Sequence, residues 1–140
     1  MGKMRTQYKG KYSIPKERFL TLYYYVLDRY PEWVKEYNAL VDHRKSTIYG
    51  DMLGAKAGNS DPTQTTALHL AYLSRKIDEV DNCAKMASPD LWKYIIQYAT
   101  TEQCSYNQLR MQKDRIPCGK NEFYAARRKF YWLLSQVVAK

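Results

Sequence analysis

Apolar residues in this chain recur at steps of three and four, the spacing that places them on one face of an α-helix. The first such run is Phe19, Leu22, Tyr23, Val26, Leu27 and Tyr30, introduced by Ser13 and Pro15 and closed by Pro31. Pro31 lacks the N–H that an interior helix position donates, so it is expected to break this helix and begin a second carrying Trp33, Tyr37, Leu40 and Val41. The two together predict a helical hairpin or a sharply kinked element that fades near His43 and Arg44. Gly50, Gly54 and Gly58, set among Ser and Asn, then predict a loop over 45–60. Asp61, Pro62 and Gln64 form a helix-start signature, with Asp61 as N-cap and Gln64 reaching back, and they predict a long helix over 62–87. Leu70, Leu73, Ile77, Val80, Ala84 and Ala87 make a short heptad seam on it, which suits packing inside a bundle and also admits a homodimer through that helix. Ser88-Pro89-Asp90 stops that helix and starts a short one over 89–100, with Leu91, Ile95 and Tyr98 inward and Trp92 and Tyr94 beside them.

The last third has a different plan. Ser105 or Cys104 stands at a cap position before Tyr106 and Leu109, which face inward from a short helix. Ile116 can pin the corner that follows, and Pro117 and Gly119 punctuate the chain before a second helix beginning near Gly119 or Lys120. In that helix Phe123, Ala126, Phe130, Leu133, Leu134 and Val137 form the inward stripe, and Lys120, Asn121, Tyr124, Arg127, Arg128 and Tyr131 lie largely elsewhere. A helix, a tight turn and a second helix with a basic face is the plan of a helix-turn-helix, whose second helix enters the DNA major groove. Asn is suited to a bidentate contact with adenine and Arg to one with guanine. Lys129 and one of the two arginines suit phosphate, and Arg110, Lys113 and Arg115 complete the set of candidate DNA-binding residues. A solvated basic helix ending a bundle fits the same pattern.

Charge sharpens this picture through its distribution. The net charge of +9 resolves into +5 over residues 1–18, −2 over 19–104 and +6 over 105–140. Basic ends around a slightly acidic centre point to a polyanion, of which nucleic acid is the commonest. The lysines and glycines before Ser13 read as a flexible arm that would meet a phosphate backbone. Fourteen tyrosines supply rings with polar tips, suited both to a small core and to groove contacts.

Other chemistries find little support. Cys83, Cys104 and Cys118 lack CxxC spacing, which argues against a zinc site and a disulfide framework and favours a reducing cytoplasm. His43 and His69 have no partner motif and read as surface or packing residues. Gly54 to Gly58 lacks the spacing and the Lys-Ser pair of a phosphate-binding P-loop. Cys118 lies near a helix N-terminus, where a thiolate can be favoured, but without a base partner packing in the turn explains it better. No acid pair or nucleophile arrangement emerges, so neither an enzyme nor a cofactor is expected. No signal peptide and no apolar run of membrane-spanning length is present, so a soluble protein of the cytoplasm is expected.

Cys118-Gly119-x-x-x-Phe123-Tyr124-x-x-Arg127-Arg128-Lys129-Phe130-Tyr131-x-Leu133-Leu134, preceded by Ser105-Tyr106-x-x-Leu109, resembles the C-terminal end of phage and prophage regulators of low-GC Gram-positive bacteria. These are similar to the RinA and ArpU types of late-gene transcription activator, whose C-terminal part resembles region four of sigma factors. Pro31-Glu32-Trp33, Asp61-Pro62-Thr63 and the helix after it extend the resemblance over residues 14–135. It implies that Lys120, Asn121, Tyr124, Arg127 and Arg128 read DNA, and it suggests no role for the 45–60 loop.

The expectation is therefore an all-α protein, a small helical bundle with a C-terminal helix-turn-helix. Residues 1–14 would be a basic arm, 15–100 a helical scaffold and 101–140 the DNA-binding unit. Its partner would be double-stranded DNA, with host RNA polymerase as a candidate protein partner and no membrane. A helical packaging component such as a small terminase-like subunit, or an adaptor for a host protein, are the alternatives.

Overall fold

In the computed structural model the backbone is described for residues 11–54 and 61–138, and the side chains for 11–43 and 65–138. Among the described residues the chain is all-α, with five helices: α1 (Lys16–Gly54), α2 (Asp61–Ala87), α3 (Trp92–Thr100), α4 (Tyr106–Met111) and α5 (Lys120–Val137).

The helix-breaking role expected of Pro31 is not borne out, because α1 runs through it without interruption. A proline inside a helix costs about 3 kcal/mol, through a lost hydrogen bond and a clash with the carbonyl four residues back. Pro31 sits on the solvent side, where water can reach that carbonyl. On either side of it Val26 and Trp33 are buried in the common core, so packing holds both halves in one helix. The expected loop over 45–60 is likewise corrected up to Gly54, the last residue of α1. Gly50 is a poor helix former at about 1 kcal/mol, but extending an existing helix needs no new nucleus, which is the costly step. The remainder of that loop lies outside the described residues, as do the side chains of the Asp61 cap.

The seam on α2 serves the chain's own interior. Leu70, Leu73, Val80 and Ala84 are buried and Ile77 and Ala87 half-buried, and all of these but Leu70 belong to the core that α2 shares with α1, α3 and α5. Two polar ties register α1 on α2. The Tyr30 hydroxyl donates to Asp81 Oδ1 at 2.8 Å, and His69 Nε2 lies 2.7 Å from Glu36 Oε2. Burial raises the Tyr30 phenol and the Asp81 carboxyl above their ordinary values, the hydrogen bond between them raising the first further and opposing the second.

Phe123, Phe130 and Leu134 of α5 are fully buried with Leu22 and Val26 of α1, Val80 and Ala84 of α2 and Ile95 of α3. The C-terminal unit is therefore not an appendage to a finished scaffold; α5 is one wall of a single core. At roughly 1.5–3 kcal/mol for each fully buried large apolar side chain, α5 supplies a substantial part of the driving force for folding. Its C-terminal carbonyls are capped from the other end of the chain, where Arg18 Nη2 donates to Val138 O at 2.9 Å and, more weakly, to Ser135 O at 3.4 Å. A cation at that end also opposes the negative pole of the helix dipole.

Candidate nucleic-acid interface

The segment from Ser105 to Gly119 has too few residues to hold itself, so its conformation depends on anchors. Ser105 begins α4 with a capping box: the Gln108 N–H donates to Ser105 Oγ at 3.3 Å, and the Ser105 N–H donates to Gln108 Oε1 at 3.1 Å. Tyr106 and Leu109 are buried as the periodicity predicts, and so is Ile116, whose N–H donates to Leu109 O at 3.0 Å. The Tyr106 hydroxyl reaches across to donate to Cys118 O at 2.6 Å. From α3, Gln97 exchanges hydrogen bonds with Gln112 at 2.8 and 3.1 Å, and the Tyr94 hydroxyl meets Asp114 Oδ1 at 3.2 Å and Arg115 O at 3.1 Å. The turn is thus fixed to α3 along its length. Arg110, Lys113 and Arg115 are exposed on this held segment, and Lys120 and Asn121 are exposed on the first turn of α5.

α5 starts at Lys120, with Gly119 as N-cap in extended conformation. Phe123, Ala126, Phe130 and Leu134 face inward as expected, with Leu133 half-buried. Two assignments are corrected. Val137 is exposed, because it ends the helix beyond the last packed turn. Tyr131, placed on the outer side by the sequence pattern, is only 1% exposed and packs edge-on against Phe19 and Phe130. The reason is that α5 touches α1, α2 and α3 at once, so the buried arc is wider than a single stripe.

That wide arc also takes in two of the five residues expected to read DNA. The Arg127 guanidinium lies 5.5, 5.0 and 5.4 Å from the ring centres of Phe19, Tyr98 and Tyr131, which belong to α1, α3 and α5. It is a cation shared by three rings at a helix junction. Burial pushes the Tyr131 phenol up to about 12, a shift that the Arg127 charge opposes. Tyr124 is half-buried, edge-on to Tyr98 with the two hydroxyls 3.5 Å apart, and burial followed by this contact pushes Tyr98 up to about 12. Both side chains are engaged in packing, which the basic and aromatic character of the motif could not reveal.

The outer face keeps the rest. Asn121, Ala125, Arg128 and Trp132 follow one another at steps of four, three and four and so share one stripe, with Asn121 and Ala125 exposed and Arg128 and Trp132 half-buried. Lys129 lies next to it. Trp132 was missed from the sequence, although extending the Asn121 stripe by helical steps would have found it. Tyr12 was missed altogether: it stacks edge-on against Trp132 with ring centres 5.2 Å apart, and nothing local in the sequence signals a contact across the whole chain. The arm expected over 1–14 is corrected at this end, since Tyr12, Ser13 and Ile14 are half-buried against the bundle; residues 1–10 lie outside the described residues.

The Cys118 thiol is raised above its ordinary value by burial and then by Glu122, the opposite of thiolate activation by a helix N-terminus, and Sγ donates to Gly119 O at 3.4 Å. Among the described residues no His, Cys, Asp or Glu cluster could hold a metal ion, and no helix is long and apolar enough to cross a membrane. Comparison of the chain with protein-family models, curated proteins and solved structures found no match.

Proposed function

We propose that this chain is a non-enzymatic, sequence-specific binder of double-stranded DNA that regulates transcription, of the phage late-gene kind that its C-terminal motif resembles. The observation that carries the reading is the outward stripe of α5, headed by Asn121 and containing Arg128, on a helix whose approach is fixed by a turn bearing Arg110, Lys113 and Arg115. In a helix-turn-helix the N-terminal residues of the second helix meet base edges, and the flanking cations set register on the phosphates. Asn121 and Arg128 are the base-reading candidates that this geometry favours. Lys120, Lys129 and the three cations of the turn segment are the phosphate contacts. Arg127 and Tyr124 support the site by holding α5 on the bundle.

The test is selection of bound duplexes from a random pool, followed by gel shifts of the selected duplex across a salt series. If Arg110, Lys113, Arg115, Lys120 and Lys129 each neutralise one phosphate, log K falls against log salt with a slope of about −4.5, or about 500-fold for a fourfold rise in salt. Failure to enrich any sequence, or an affinity indifferent to salt, overturns the proposal.

A further inference from the structure

The contact between the two ends of the chain lies on the same stripe that carries Asn121. From Asn121 to Trp132 is three helical turns, about 16 Å at 1.5 Å per residue. A major groove is about 12 Å wide, so a helix laid with Asn121 at the base edges brings its Trp132 end out to the flanking sugar-phosphate backbone. At that end Tyr12 covers Trp132, and Lys11 Nζ and Lys129 Nζ each lie 5.5 Å from the centre of the Tyr12 ring. One tyrosine thus gathers two ammonium groups, one from each end of the chain. Two ammonium groups held at one ring together attract an anion, and a phosphate is the anion this face would meet.

We infer that Tyr12, Trp132, Lys11 and Lys129 form a clasp that grips the backbone phosphates flanking the groove occupied by α5. The inference rests on the proposed DNA-binding reading and adds a second, sequence-independent contact to it. Tyr12 is the hinge pin: without its ring, Lys11 loses its attachment to α5, and Lys129 loses its orienting partner. The clasp contributes affinity and salt dependence, not choice of sequence.

The experiment compares the full chain with its Tyr12→Ala and Tyr12→Phe variants, using the selected duplex and an unrelated duplex across a salt series. Tyr12→Ala should weaken binding to both duplexes by the same factor and make the slope of log K against log salt shallower. The change should be about 0.9 for Lys11 alone and about 1.8 if Lys129 also loses its phosphate. Tyr12→Phe keeps the ring and should behave as the parent chain. Equal slopes for the parent and Tyr12→Ala, with matched helical circular dichroism, overturn the clasp while leaving the DNA-binding reading intact. A loss confined to the selected duplex also overturns it, since that would make Tyr12 a reader of sequence. A parent chain that binds neither duplex overturns both.

Discussion

Arg127 and Asn121 sit on the same helix, only six positions apart, and replacing each with alanine should produce opposite phenotypes. The Arg127 guanidinium contacts three rings at 5.0–5.5 Å from a half-buried position. Cation–π contacts range from about 0.5 kcal/mol when exposed to about 2 when desolvated, and three partly buried ones together come to roughly 2 kcal/mol. The aliphatic stem adds roughly 1 kcal/mol of packing, and relief of the cost of burying a charge returns a similar amount. Arg127→Ala should therefore cost about 2 kcal/mol, which for a chain of this size lowers Tm by about 6–8 °C. Asn121 is exposed on the first turn, so Asn121→Ala should change stability by less than about 0.5 kcal/mol. Binding to the selected duplex reverses the order. Loss of a bidentate base contact at Asn121 costs about 1–3 kcal/mol, or roughly 5- to 150-fold in affinity. Arg127→Ala, measured well below its Tm, should bind within about threefold of the parent, since its guanidinium faces rings and not solvent. The assays are thermal melts by circular dichroism and gel shifts at one salt concentration. An Arg127→Ala protein with parental Tm and abolished binding would refute the reasoning, because the guanidinium would then be leaving the rings to meet DNA.

Removing the Arg18 side chain with Arg18→Ala should destabilise the protein by about 1–2 kcal/mol, as the last carbonyls of α5 lose a charged donor; an unchanged Tm would show that water replaces it without cost. Because burial raises the Asp81 carboxyl, the native state binds its proton more tightly than the unfolded chain does. Stability should consequently decline as pH rises from the ordinary carboxylate value through the raised native one, and then level off. Asp81→Asn should remove that part of the slope in urea titrations run upward in pH from the ordinary carboxylate value, and an identical profile would refute the assignment. Burial pushes the Cys83 thiol up to about 11, whereas Cys104 and Cys118 are partly exposed, so a thiol reagent at mildly alkaline pH should label two cysteines quickly and the third only on unfolding. Three equal rates would contradict the burial of Cys83. Ser105→Ala removes the hydroxyl that accepts from the Gln108 N–H, while the Ser105 N–H can still donate to Gln108 Oε1, and should cost about 1 kcal/mol, read as a lower urea midpoint.

The starts of α4 and α5 and the inner stripe of α5 were legible because they depend on local chemistry, whereas the helix expected over 89–100 begins only at Trp92. Ser105 with Gln108, Ile116 at the corner and Gly119 before Lys120 are short-range signals, and each holds its predicted place. Pro31 misled because its cost is local while the packing of Val26 and Trp33 that outweighs it is not. Tyr131, Tyr124 and Arg127 were misplaced for a related reason. Helical periodicity locates the centre of a buried face but not its width, and the width is set by how many neighbours the helix touches. Tyr12 on Trp132 joins residues 120 positions apart, a distance at which no pattern along the chain carries information.

Because α5 closes the core, the order of synthesis acquires a meaning. A ribosome delivers α1, α2 and α3 first, at roughly 5–20 residues per second, but their inner faces meet Phe123, Phe130 and Leu134 only when the final turns emerge. The cap that Arg18 places on α5 comes later still, joining the first helix made to the last. A nascent or prematurely terminated chain is thus a set of helices with an open apolar interior, a substrate for chaperones and proteases. The surface that we assign to DNA is assembled in the same step that closes the core, so folding and the making of that surface are one event.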